Sequence, residues 1–228
     1  DERGIIAYLT DKSNPNMNVE GYFIFKNDNP LDVLTGDNPR GPSGYDRFPS
    51  FWSRKARIYT FGGALSGALC GSEHWKYRTE GAIQTGKKDG MAQDVSHSST
   101  GMKNLMAYGT NNKLEYHFND AKKNKLRGMF EFLSGDNSNT GKIEAFDPLW
   151  GHWPRISETL AYTYTLETEI AEVTNMWRLG FGHSIQLTEK LSMDTDIHWL
   201  WANRNSEQNR NRAGVIEWSD DGKYRGTL

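Results

Sequence analysis

The stretch HWKYRTEGAIQTG, residues 74–86, alternates almost without a break. On an extended chain, successive side chains point to opposite faces. Trp75, Tyr77, Thr79, Gly81 and Ile83 therefore share one side, and Lys76, Arg78, Glu80, Ala82 and Gln84 share the other. In a water-soluble sheet the aromatic side would line a core and the polar side would meet bulk water. The fold turns on which side is the inside.

Composition narrows the choice. At 228 residues the chain is long enough for one domain with a sizeable core. Yet mean hydropathy is −0.76, and hydrophobic residues reach only 36%, below the usual share for a globular domain. Aromatics make up 12%, beside 23 glycines. That balance suits many strands that each need one apolar face. A net charge of −2 and a pI near 6.3 give no reason to expect a nucleic-acid partner. Cys70 is the sole cysteine, so neither an intrachain disulfide nor a Cys-rich metal site is expected. No stretch approaches the roughly 18–20 apolar residues of a membrane helix. The chain opens DERGIIAYLT, with no methionine and no secretory leader, and reads as a mature chain or a fragment.

The opening pattern recurs along the chain. GIIAYLT (4–10) is a short apolar strand. NVEGYFIFK (18–26) sets Val19, Gly21, Phe23 and Phe25 against Glu20, Tyr22 and Lys26. RIYTFGGAL (57–65) is rich in strand formers, but its two faces are not distinguished. KLEYHF (113–118) sets Leu114, Tyr116 and Phe118 against Lys113, Glu115 and His117. KLRGMFEFL (125–133) sets Leu126, Gly128, Phe130 and Phe132 against Arg127, Met129 and Glu131. TNMWRLGFGHSIQL (174–187) and LSMDTDIHWLW (191–201) continue the pattern. These period-two runs predict strands, and no long helical period competes with them.

The connections alternate in length. Those at 11–17, 66–73, 119–124 and 188–190 are short; those at 27–54, 87–101, 135–173 and 204–222 are long and rich in Gly, Pro, Asn and Asp. An up-and-down barrel in an outer membrane needs this order, with tight periplasmic turns and longer outer loops. SETLAYTYTLE (157–167) also alternates, but as a full strand it would break the parity, so it is placed within the outer loop.

The expectation is therefore an all-β, antiparallel up-and-down transmembrane barrel, with the aromatic face turned to lipid and the charged face to a lumen. Lipid cannot satisfy backbone polar groups, so only helices and closed sheets cross it. Trp75, Tyr77, Trp177, Trp199 and Trp201 fall near strand ends, where an interfacial girdle belongs. The rival architecture is a soluble β-sandwich with the rings in its core.

Four segments carry a resemblance: RIYTFGGALSG, WKYRTEGAIQTG, FEFLSGDNSNTGKIEAFDPLWGHWP and NMWRLGFGHSIQLTEKLSMDTDIHWLWAN. Together they resemble the alginate-export family of outer-membrane proteins over residues 57–203. The loop SGD…NTG…EAFDPL and the turn L-x-T-E-K-L-S are the most specific parts. The resemblance implies one barrel of about eighteen antiparallel strands conducting polysaccharide or small solutes passively. The chain supplies eight strands by this count, with a ninth beginning at KYRGTL (223–228), and it ends in Leu228 rather than a terminal aromatic. It therefore reads as 1–228 of a single partial barrel, a piece from the C-terminal side of a longer protein. The implied partners are membrane lipid and lipopolysaccharide, a polar solute or oligosaccharide, and the barrel-assembly machinery of the bacterial outer membrane. No cofactor is implied.

The inward positions are the candidate pore lining: Lys76, Arg78, Arg127 and Arg178 are basic, and Glu80, Glu131, Asp194 and Asp196 are acidic. Lys113 is expected to balance Glu115, and Lys26 to balance Glu20. Arg178 is expected to pair with Asp194 or Asp196 across the 188–190 turn. The face is thus nearly neutral, unlike the Arg- and Lys-lined lumen the resemblance implies for polyuronate export. FDPLWGHWP (146–154) is an aromatic, proline-stiffened loop whose Phe146, Asp147, Trp150 and Trp153 are constriction candidates. Asp136, Asn137 and Asn139 offer oxygens to calcium, but the spacing lacks a closing bidentate Glu, and an Asx-rich turn explains them better. The six histidines are scattered at 74, 97, 117, 152, 183 and 198 without a zinc-ligand spacing. GFGHS (180–184) lacks the serine of a nucleophile elbow, and no other catalytic motif occurs. An enzyme is not expected. The functional rivals are a carbohydrate-binding sandwich with Trp150, Trp153 and Tyr162 as a sugar platform, and a plugged barrel serving as anchor or adhesin.

Overall fold

The computed structural model describes residues 2–29, 55–91, 99–137, 139–150, 174–204 and 224–227. They form one antiparallel sheet whose nine strands lie in chain order. The strands are β1 (Glu2–Asn14), β2 (Met17–Asp28), β3 (Ala56–Ala68), β4 (Trp75–Met91), β5 (Ser99–His117), β6 (Lys125–Leu133), β7 (Met176–Thr188), β8 (Leu191–Ala202) and β9 (Tyr224–Thr227). Each strand pairs with its sequence neighbours, which is the up-and-down order expected from the alternating connections. No helix among the described residues is long and apolar enough to cross a membrane.

One end of the sheet is made of tight turns. Pro15–Asn16 joins β1 to β2, and a single 3₁₀ turn at Leu69–Gly71 leads from β3 toward β4. Cys70 takes a left-handed backbone conformation in that turn, with φ of 51°. The turn between β5 and β6 is held by Asp120, which accepts hydrogen bonds from the Asn124 backbone N–H at 2.9 Å and from its side-chain amide. Those bonds hold the Asp120 carboxyl below the usual carboxylate range. β6 pairs directly with β7, so no strand separates them in the described sheet. The segment 157–167 itself lies outside the described residues.

Exposure separates the two faces. Ile83 is 52% exposed while its neighbour Gln84 is 0% exposed. Phe61, which faces Ile83 across the ladder, is 53% exposed. Tyr108, Phe130, Phe181 and Ile197 are exposed too. The aromatic rows meet each other rather than a second layer: Phe23 tilts against Phe61 at 5.1 Å between ring centroids, and Tyr108 stacks with Phe132 at 5.4 Å. Among the described residues there is no second sheet to cover them, so the sandwich architecture is set aside.

The strands run longer than their period-two signals. β4 continues to Met91 and β5 begins at Ser99, so most of the expected 87–101 loop is strand. β5 also extends well beyond the expected 113–118. Its early part places Met102, Met106 and Tyr108 on the exposed face and buries Leu105 and Ala107 on the other. Alternation vanishes there because both faces are apolar. The ambiguity of β3 has the same origin, since Ala56, Ile58 and Ala64 are buried opposite Phe61 and Leu65.

Candidate functional site

What buries those residues is the chain that follows β6. Residues 134–150 turn back over the charged face instead of leaving the sheet. Ser134 starts the return: its hydroxyl donates to the Glu144 carbonyl at 2.7 Å and accepts from the Tyr108 N–H at 3.0 Å. Ile143 then pairs with β5, accepting from the Met106 N–H at 2.9 Å and donating to the Asn104 carbonyl at 2.8 Å. Ile143 packs with Ala56, Ile58, Leu105 and Ala107, and Ala145, Phe146 and Leu149 close over them.

Polar anchors complete the dock. The Gln84 amide is read twice by Asp147: it donates to the Asp147 carbonyl at 2.8 Å and accepts from the Asp147 N–H at 2.7 Å. Lys88 donates to the Asp147 carboxylate at 2.5 Å, with side chains 11% and 4% exposed. Lys26 reaches the Leu149 carbonyl at 2.7 Å and lies 5.8 Å from the centre of a Trp150 ring. That ring sits close enough to β1 that a Cβ at Gly4 would collide with it. Phe146, Asp147 and Trp150 are thus gathered on the charged face. Trp153 lies outside the described residues. Lys26 stands six residues farther along β2 than Glu20, roughly 20 Å away; the loop carbonyl of Leu149 binds Lys26, and Arg78 binds Glu20.

Toward the turn end the face carries ionic clusters of one construction. On β3, Gly62, Ala64 and Ser66 form a row of small side chains between β2 and β4. Over this row Arg78 donates to both oxygens of Glu20, at 3.2 and 2.9 Å, and to Glu80 at 3.3 Å. The Tyr22 hydroxyl donates to Glu80 at 2.8 Å by the same route. On β7, Gly180, Gly182 and Ser184 repeat the row between β6 and β8. Arg127 crosses it to grip Asp196 with two bonds of 2.8 Å and reaches Asp194 at 3.1 Å. Two strand spacings come to about 10 Å, a span an arginine and a carboxylate cover only where the strand between them is nearly bare.

The expected pairing of Arg178 with Asp194 or Asp196 is corrected. Register sets Arg178 opposite Leu200 and Asp196 opposite Gly182, about 13 Å farther down β7. Arg178 instead binds Glu131 of β6 at 3.0 and 2.8 Å and meets His198 at 3.2 Å. The expected Lys113–Glu115 pair is present at 3.2 Å, with His117 on the other carboxylate oxygen at 3.4 Å. Lys76 lies opposite Glu115 in the β4–β5 register.

The girdle candidates Trp75, Trp177 and Trp199 fall on the aromatic face. Trp75 stacks edge-on against Tyr116 at 4.9 Å at the turn end. Trp177 and Trp201 stack at 4.2 Å at the other end of β7 and β8, and Trp199 meets Phe181 at 6.1 Å. The calcium candidates are spent on the loop itself. Asp136 accepts from the Glu144 N–H at 2.8 Å and Asn137 from the Asn139 N–H at 3.2 Å. No cluster of metal-ligating side chains occurs among the described residues.

One sheet, polar and loop-covered on one face, apolar and bare on the other, is the sequence expectation made concrete. A family model described as alginate export matches residues 52–223. The chain belongs to the alginate-export family. No curated protein matches it. The family is one of transport and export proteins rather than of enzymes. The match begins before β3 and ends just before β9, so it includes the loop dock and both small-residue strands.

The sequence reading missed Gln84, Lys88 and Ser134 as site residues. Lys88 falls in the 87–101 stretch that the sequence reading assigns to a long polar loop. The signal was available: Gln84, Gly86 and Lys88 continue the even-numbered parity of Lys76, Arg78 and Glu80.

Proposed function

We propose that this chain forms part of the wall of a passive outer-membrane channel, porin-like and of the alginate-export type, in the bacterial outer membrane. The observation that carries the reading is the inverted burial: Gln84 is enclosed while Ile83 and Phe61 are bare. A soluble sheet loses free energy by that arrangement, at about 25 cal/mol per Å² of apolar surface left in water. Hydrocarbon removes the cost, and the paired backbone of an antiparallel ladder meets the demand that lipid makes.

On this reading Lys76, Arg78, Glu80, Arg127, Glu131, Arg178, Asp194 and Asp196 face a water-filled lumen. Trp75, Tyr77, Trp177 and Trp199 meet the lipid interface. Residues 134–150 narrow the lumen, with Phe146, Asp147 and Trp150 at the constriction. Solutes cross by diffusion, and no cofactor enters. The docked loop also favours a second reading, a lumen sealed by it, in which the barrel is an anchor.

Planar-bilayer recording of the full-length protein separates the two. The channel reading expects steady conductance, and a rise when Ile143→Asp loosens the loop from Ile58 and Leu105. A silent membrane, with folding established by heat-dependent gel mobility, leaves the anchor reading in its place.

A further inference from the structure

The ionic clusters bear on what such a channel admits, and the argument rests on the channel reading above. The described strands place three arginines on the charged face: Arg78, Arg127 and Arg178. Each is held by carboxylates of the same wall, Arg78 by Glu20 and Glu80, Arg127 by Asp194 and Asp196, Arg178 by Glu131. Bidentate pairing at Arg78 and Arg127, and two donors on one Glu131 oxygen at Arg178, commit guanidinium donors that a uronate would otherwise use. A passing anion would have to displace a tethered carboxylate and leave it unpaired.

The pairs are also unevenly exposed. Arg127 is 14% exposed, whereas Asp194 is 59% and Asp196 33% exposed. Arg178 is 11% exposed against 21% for Glu131. For these pairs along β6–β8, then, water meets the acids and the arginines lie beneath them. At Arg78 the base stands out, at 40% against 17% for Glu20 and 32% for Glu80, and so does Lys113, at 43% against 19% for Glu115. The loop adds its own carboxylate, Asp147, to the buried Lys88. A polyanion sliding along fixed cations needs the reverse arrangement.

We propose that this wall serves neutral or mixed-charge saccharides rather than polyuronate chains, because its arginines are neutralised within the wall and, along β6–β8, lie beneath their carboxylates. Hydroxyl-rich solutes can exchange hydrogen bonds with exposed carboxylate oxygens without breaking a pair.

The full-length protein in planar bilayers under a potassium chloride gradient tests this. The potassium-to-chloride permeability ratio is expected to lie within about twofold of one or to favour potassium. An oligouronate is expected to interrupt the current no more than a neutral glucan oligosaccharide of equal length. Asp194→Asn with Asp196→Asn uncovers Arg127, and the ratio is expected to move severalfold toward chloride, with oligouronate block appearing. Should that pair of changes prevent folding, Arg127→Gln is expected to move the ratio toward potassium. A natural protein that strongly prefers chloride and is blocked by oligouronate overturns the proposal. So does a ratio that ignores both variants. A folded but silent protein overturns the channel reading itself.

Discussion

Lys88 and Asp147 form the most enclosed ion pair described on the charged face, and they tie a loop to a strand rather than strand to strand. Removing one partner of a buried pair costs about 3–5 kcal/mol, because the other charge stays behind in a place water cannot reach. Here the cost is limited by how easily the loop lifts, so it appears first as local opening. Lys88→Met is expected to weaken exchange protection at the Ile143 and Asp147 amides, which donate to Asn104 and Gln84, by about a hundredfold or more. Lys88→Met combined with Asp147→Asn is expected to recover most of it, since neither charge is then stranded. Hydrogen exchange in detergent checks both. Equal loss in the single and double variants would show that the pair does not hold the loop.

Strands of this protein were legible from sequence wherever one face is apolar and the other charged, as in 74–86, 125–133 and 174–187. They were lost where the loop docks. Leu105 and Ala107 face inward beneath Ile143 and are apolar for that reason, so β5 shows no alternation beside Met106 and Tyr108. A strand signal reports the solvent on each face, and a tertiary contact rewrites it. Pairing partners were less legible than faces. Arg178, Asp194 and Asp196 were placed on the correct side, but register decided who met whom. The glycines of β7 were the overlooked clue, since a bare strand marks where its neighbours touch over it. At Gly182 a Cβ would collide with the Asp196 carboxylate and stand 2.5 Å from the Arg127 Nε, while at Gly128 on the opposite face a Cβ meets nothing within 4 Å. Gly182→Ala is therefore expected to force the ion pair aside and cost about 1–3 kcal/mol, with Gly128→Ala near neutral. Denaturant unfolding in lipid vesicles measures the difference, and equal effects would show that the bare row plays no part in the bridge.

For the molecule as a whole the decisive quantity is the solvent of the aromatic face. From Trp75 to Lys87 that face of β4 runs for about 40 Å of strand, or about 30 Å of depth at a tilt near 40°. An interfacial ring stands at one end and a charge at the other, and Gly81 lies midway. Gly81 is exposed, and a Cβ there meets no atom within 4 Å. An arginine at this site starts from an unobstructed Cβ, so its energetic effect reports chiefly the medium. In water Gly81→Arg would be neutral or slightly stabilising, because glycine weakens a strand. At a bilayer midplane the same change costs about 2–4 kcal/mol, against about 0–1 kcal/mol near the interface. Gly81→Arg is thus expected to destabilise the full-length protein in vesicles by several times more than Trp75→Arg, although the tryptophan contributes ring contact with Tyr116 and the glycine contributes none. If Trp75→Arg proves the costlier change, contact energies outweigh depth, the aromatic face is wetted by water, and the channel assignment falls with it.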